Sequence, residues 1–232
     1  MLEIKKGLYL VDKPSGPSSH MVVNYFRKLS GIKKIGHCGT LDPLASGLLI
    51  LLVGKEYTRT QDLYLKKDKE YLVRARLGIG TDTYDQTGKI IKKDNWQELK
   101  DIKKTDLLRI FPQFKGKIEQ TVPIFSAVKV KGQKLYQKAR RGETVELPSR
   151  QIEIKKLILK SFEKDSKKEE VFFELLVKCS SGTYIRSLIH DLGKKLALGA
   201  HVVALRRNKI DKFHVKKAIK MDWDSQLYQL GL

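Results

Sequence analysis

The sequence predicts an α/β or α+β domain on a mixed sheet, and three observations lead there. Short buried-strand runs and one alternating strand are interleaved with amphipathic helical segments in irregular order. No internal repeat and no low-complexity linker divides the chain. At 232 residues and 41% hydrophobic content the chain is long enough for one sizeable core.

Each element has its own signal. Gly7 to Val11 reads as a short buried strand, closed by the turn-rich Lys13-Pro14-Ser15-Gly16-Pro17. Ser18 or Ser19 can cap a helix that runs to Leu29, with Met21, Val22, Tyr25, Phe26 and Leu29 on one face and Gly31 as its stop. Leu48 to Val53 suits a strand buried on both faces, and a polar helical segment follows to Leu65. From Lys69 to Leu77 the pattern alternates, with Tyr71, Val73, Ala75 and Leu77 on one face and Arg74 and Arg76 on the other. Residues 104–112 look helical up to Pro112, and Gln133 to Arg141 reads as a short basic helix. Gln151 to Phe162 and Val171 to Cys179 read as paired strands joined by the charged loop Glu163 to Glu170. Thr183 to Leu196 is the clearest helix, and Gly199 is its expected stop.

Charge is the strong compositional fact. Forty-seven Lys and Arg against 26 Asp and Glu give +21, with a pI near 9.8. Such a field attracts polyanions and weakens steeply with salt. The excess is clustered: Ile124 to Lys156 holds nine Lys/Arg and three Glu, and Gly199 to Lys220 holds seven Lys/Arg and one Asp, a local +6 in each. Segment 124–150, bounded by Pro123 and Pro148, is the expected basic insertion. The longest apolar run, Leu48 to Val53, is far too short to span a bilayer, and the N-terminus carries no apolar signal region. Two cysteines make no disulfide framework, so a reducing cytoplasm is the expected compartment.

One carboxylate stands out. In Gly36-His37-Cys38-Gly39-Thr40-Leu41-Asp42-Pro43-Leu44-Ala45-Ser46-Gly47, glycines permit unusual backbone angles and Pro43 biases Asp42 away from the helical region. Asp42 is therefore presented by the backbone, open to the roles of nucleophile, base, ion-pair partner or turn acceptor. Competing chemistries fail on spacing. Between Gly47 and Gly54 stand six residues where a phosphate-binding loop needs four, and Glu56 replaces its Ser/Thr. The acids of Asp82 to Gly88 are wrongly spaced for a calcium loop, and the histidines and cysteines lack zinc-ligand spacing, so no metal is expected. Cys38, next to His37 in an extended segment, is expected to be a packed side chain.

Taken together, the distal segments resemble the TruB family of tRNA pseudouridine synthases. The resemblance is carried by the block from Gly36 to Gly47, by Asp12-Lys13-Pro14 with Gly16, Ser18 and Ser19, and by Lys69 with Tyr71. It continues through Leu77-Gly78 with Thr81-Asp82-Thr83, Asp85 and Gly88, and through Pro123 to Tyr136 with Ser126-Ala127 and Lys129. Cys179-Ser180, Gly182-Thr183-Tyr184-Ile185-Arg186 and Gly199-Ala200-His201-Val202 with Leu205-Arg206-Arg207 complete it.

The resemblance implies a pseudouridine synthase fold, a mostly antiparallel mixed sheet flanked by helices and loops, with 124–150 as the thumb insertion. It also implies isomerisation of uridine 55 in the tRNA T arm, without cofactor or metal. Asp42 is then the catalytic nucleophile or base, Arg186 its ion-pair partner, and Tyr71 the group stacked on the target base, with proton transfer open to it. His37 is expected to fill the gap left by the flipped base. Tyr184 and Leu205 are expected to line the base pocket, and Lys13 to support the loop beside it. Both basic clusters become RNA-gripping surfaces. Bacterial members usually continue into a PUA-type domain, for which Lys212 to Leu232 is too short; a native short form or a truncated chain would both explain this, and one catalytic domain over 1–232 is expected. With no amphipathic seam asking for a partner, it is expected to be a monomer. The competing readings are a non-catalytic RNA-binding protein or tRNA chaperone on the same fold, or a synthase for another uridine.

Overall fold

A computed structural model describes residues 4–130, 132–141, 143 and 145–221. The chain divides into two compact units at Leu72/Val73 and at Ala204/Leu205, the first taking both outer stretches and the second the middle.

The first unit grows from β1 (Gly7–Lys13), α1 (Ser19–Ser30), β2 (Ile35–Cys38) and β3 (Ser46–Val53). Ser18 caps α1 by accepting a hydrogen bond from the Met21 amide at 3.2 Å, and Gly31 ends it in the left-handed region at φ 69°. The uninterrupted apolar run of β3 follows from burial on both faces. Leu49, Leu51 and Val53 pack with Val22, Val23 and Phe26 of α1, while Leu48, Ile50 and Leu52 pack with Cys38, Ile210 and Val215. β1 and β2 both pair antiparallel with β3, with Lys13 opposite Gly47 and His37 opposite Leu51. The polar segment after β3 forms two single turns, α2 (Lys55–Thr58) and α3 (Asp62–Leu65), and leads into β4 (Lys69–Leu77).

In the second unit, β4 is followed by β5 (Ile79–Thr81), β6 (Ile90–Lys93), α4 (Trp96–Leu99), α5 (Lys104–Ile110) and β7 (Gly116–Thr121). The expected 104–112 helix ends at Ile110 and tightens into a 3₁₀ turn, Phe111–Phe114, that accommodates Pro112. Next come β8 (Lys129–Val130), β9 (Gln133–Lys134), α6 (Leu135–Arg140), β10 (Ser149–Asp165), β11 (Glu170–Cys179) and α7 (Ile185–Lys195). The strand order of this unit is β4-β11-β10-β7, antiparallel across β11-β10 and β10-β7.

β12 (Ala200–Ile210) begins in the second unit and ends in the first, where β13 (Phe213–His214) and β14 (Ile219–Lys220) follow. β12 runs parallel to β3, and β14 runs parallel to β1, so the sheet of the first unit is mixed. The fold is thus mixed α/β, with mostly antiparallel pairing. Residues 213–220 of the expected tail are built into strands and a 3₁₀ turn; 222–232 lie outside the described residues. No described helix is long and apolar enough to cross a membrane.

Three sequence expectations need correction. Residues 133–134 belong to the β8–β9 hairpin, so the basic helix starts only at Leu135, whose fully buried side chain anchors it. β10 reaches Asp165 and narrows the charged connection to a tight turn, with Glu169 at φ 55°. α7 is closed by Ala197 at φ 59°, not by Gly199. Gly199 is needed for space instead: a Cβ there would lie 2.5 Å from the Gly80 amide nitrogen.

Candidate active site

The segment that carries Asp42 is a short strand, β2, followed by a loop over residues 39–45 that the preceding motif holds in place. Ser19 Oγ donates to the Leu41 carbonyl at 3.0 Å and accepts from the Leu41 amide at 2.8 Å. The Gly16 amide donates to the Pro43 carbonyl at 2.8 Å, and Ser15 Oγ donates to the Leu44 carbonyl at 2.9 Å. Residues on both sides of Asp42 are therefore fixed, while its side chain stays half-buried. Gly47 closes the loop at φ 101°, where a Cβ would lie 2.4 Å from the Arg207 carbonyl oxygen.

Lys13 is fully buried beneath this loop. Its Nζ donates to the Pro14 and Pro17 carbonyls at 2.8 Å each and to Pro43 at 3.4 Å. Burial pushes its pKa down to about 8; the charge of Asp42 opposes that shift and Arg207 adds to it. His37, on β2, has its carbonyl bonded by Gln61 Nε2 at 2.8 Å. Burial lowers its pKa to about 4, helped by Arg207 and His20, so the ring is neutral at ordinary pH. Cys38 is buried, and that burial pushes its thiol up to about 11, as a packed side chain requires.

Tyr71 on β4 and Leu205 on β12 are both buried residues of the first unit. Lys13, His37 and Asp42 are drawn together there through one loop and two strands. Arg186 and Tyr184 belong to the second unit. Arg186, 5% exposed on the first turn of α7, donates to the carbonyls of Thr83 at 2.8 Å and Phe125 at 2.9 Å and faces Asp85 at 3.6 Å. Asp85 is itself held: Oδ1 accepts from the Thr87 amide at 2.9 Å and from the Thr83 hydroxyl at 2.9 Å. Tyr184 is pinned through its backbone, its amide donating to Gln120 Oε1 at 2.8 Å and its carbonyl accepting from Gln120 Nε2 at 3.0 Å. The Arg150 guanidinium lies 5.3 Å from the Tyr184 ring centroid.

Sequence reasoning missed β12 as a strand and with it Arg207. Arg207 is 1% exposed; Nε donates to the Leu48 carbonyl at 2.7 Å and Nη2 to the Gly39 carbonyl at 2.9 Å. Arg206, on the opposite face of the strand, makes a bidentate pair with Asp12 at 3.0 and 2.7 Å. The second basic cluster is therefore only partly a surface, since its strand turns Leu205 and Arg207 inward together at a period of two. That shared period was the available signal. In the first cluster, Arg141 bonds Glu143 and Gln133 at 2.7 Å each, and the Tyr136 amide closes the segment onto the Ser126 carbonyl at 3.1 Å.

Comparison with known proteins shows the family and the fold. The model of the TruB family pseudouridylate synthase N-terminal domain matches residues 27–185, and that of the tRNA pseudouridylate synthase B C-terminal domain matches 186–228. The chain is 40% identical to tRNA pseudouridine synthase B of Chlamydia pneumoniae, covering 94% of this chain and 88% of that one. It is 41% identical to the protein of that name from Protochlamydia amoebophila, covering 92% and 78%. Among solved structures, a chain of a Cbf5-Nop10-Gar1 complex aligns at TM-score 0.66 and 28% identity, covering 97% of this chain and 56% of that chain.

Proposed function

We propose, from the premise that this chain belongs to the TruB family of pseudouridylate synthases, that it isomerises uridine 55 in the T arm of tRNA to pseudouridine. The observation that carries the reading is the Asp42 loop: one carboxylate, presented half-buried from a loop whose neighbouring residues are bonded on both sides. Uridine and pseudouridine are isomers, so the N1–C1′ bond breaks, the base turns, a C5–C1′ bond forms, and the C5 proton is lost as N1 gains one. Asp42 is assigned the attack, at C6 or through the sugar, or the deprotonation. Unlike a glycosidase, the reaction activates no water and needs no second carboxylate for it.

Arg186 is assigned the partner role toward Asp42, supported by its burial and its fixed guanidinium. Tyr71 is assigned the base stack, Tyr184 and Leu205 the walls of the base pocket, and Lys13 the support of the loop. A target inside a folded RNA loop must be flipped out, which costs a few kcal/mol of unstacking, and His37 is assigned to the gap. A neutral ring suits that place among stacked bases. Residues 124–150, the thumb, and the exposed members of the basic clusters are assigned to the RNA backbone, which makes affinity salt-dependent. The chain acts as one catalytic domain and as a monomer, with tRNA as its partner and the cytoplasm as its compartment.

The test is incubation with an unmodified T-arm stem-loop, followed by mapping pseudouridine through its chemical adduct and primer extension. Conversion at position 55 is expected from the native chain, and loss of product with RNA binding retained from Asp42→Ala. Product from Asp42→Ala at the native level would overturn the assignment; conversion at another uridine would redirect the substrate.

A further inference from the structure

Arg207 is a buried cation with an unusual set of partners. Its guanidinium donates to two backbone carbonyls, Gly39 at the start of the Asp42 loop and Leu48 on β3 just past its end. Its own backbone packs so closely on Gly47 that no side chain fits there. The guanidinium also lies against Gly39, where a Cβ would meet Arg207 Nη1 at 3.5 Å, ordinary van der Waals contact. One planar fork thus spans the mouth of the loop, which a single ammonium cannot do. Its charge also reaches Lys13, His37 and Cys38.

We propose that Arg207 is a positioning residue for the reaction: its guanidinium straps the start of the Asp42 loop to the strand that follows it. Its charge also adds to the burial that keeps the nearby His37 an uncharged ring. The inference rests on the reading of Asp42 given above, and deepens it by joining the two residues assigned to the target nucleotide and to its gap. An imidazolium between bases would carry a desolvation cost that a neutral ring avoids. The two charged or titratable groups that act on His37, Arg207 from β12 and His20 from α1, both favour the neutral form, as burial does, and Gln61 holds its carbonyl.

The proposal separates shape from charge, and two variants separate them in turn. Arg207→Lys keeps the charge and loses the fork; kcat on the T-arm stem-loop is expected to fall on the order of a hundredfold, with RNA affinity within a few-fold and His37 still neutral. Arg207→Met loses both, so the pKa of His37, followed by NMR of labelled histidines, is expected to rise, while burial still holds it below the ordinary value. In the native chain His37 is expected to stay neutral down to about pH 4, a measurement that requires no variant to fold. Native His37 titrating near pH 6.5, or Arg207→Lys turning over at the native rate, would overturn the proposal. Should Asp42→Ala prove active, the reading of Asp42 fails while the His37 titration still decides the electrostatic half.

Discussion

Arg207 and Arg186 are both buried arginines that donate to two backbone carbonyls, yet they do different structural work. The partners of Arg207 are Gly39, at the start of the Asp42 loop, and Leu48, on β3 just past its end, so the side chain acts as a strap that shapes that loop. The partners of Arg186, Thr83 and Phe125, are far apart in sequence, and Asp85 adds a carboxylate at 3.6 Å. Arg186 therefore joins a turn to the base of the basic insertion and is held for presentation. A buried guanidinium satisfied by carbonyls organises backbone, whereas one that also faces a carboxylate carries part of its compensation with it.

The strap is broken most directly at Gly47. Gly47→Ala forces a Cβ to 2.4 Å from the Arg207 carbonyl oxygen at φ 101°, and the atoms it meets are all Arg207 backbone, which cannot swing aside as a side-chain end can. A loss of about 3 kcal/mol or more is expected by denaturant unfolding. Gly116 is the control: it has φ 81° with nothing within 4 Å of a Cβ, so Gly116→Ala carries only the left-handed penalty of about 1 kcal/mol. Equal losses at the two sites would mean that contact with Arg207 does not matter.

The second test is of charge beneath the same loop. Lys13 is fully buried and its folded pKa is about 8, against 10.5 when exposed. The unfolded chain therefore binds more protons between those values, and the stability contributed at this site rises as pH climbs through that window. The native chain is expected to gain roughly 3 kcal/mol relative to Lys13→Met between pH 7.5 and 10.5, with the other lysines cancelling in the difference. Parallel stability–pH curves for the two proteins would show that Lys13 is not held in a charge-disfavouring place.

Much of this was legible in the sequence, for reasons that differ between elements. α1, β4 and α7 each carry a periodicity that burial alone enforces, so Val22, Tyr71 and Leu188 announce their faces, and the unbroken apolar run of β3 announces burial on both. β12 does not. Its second half reads Leu205-Arg206-Arg207-Asn208-Lys209, and its cationic side chains are met by Asp12, by the Leu48 and Gly39 carbonyls and by Glu70, partners 139 to 194 residues away. A strand compensated by tertiary partners looks like a basic surface when read alone. For the same reason Asp42 and Lys13 could be singled out from local motifs, whereas Asp85 looked like a failed calcium loop and its link to Arg186 was invisible.

That link gives the mildest test. In Asp85→Asn the remaining oxygen can still accept from Thr87 and Thr83, and Arg186 keeps its bonds to the Thr83 and Phe125 carbonyls. Only the charge facing Arg186 at 3.6 Å is lost. Because that distance exceeds a good charge-assisted hydrogen bond, the expected destabilisation is about 1 to 2 kcal/mol, below the range for breaking a tight buried pair. Turnover is expected to fall by on the order of tenfold, as a guanidinium anchored by two neutral acceptors has more room to move. The informative outcome is the ratio. If Asp85→Asn lowers stability as much as Gly47→Ala, Arg186 depends on its carboxylate in the way the Asp42 loop depends on its strap, and the distinction between the two arginines collapses. If turnover falls while the unfolding midpoint barely shifts, Asp85 acts on where Arg186 points, and the fold is indifferent to it.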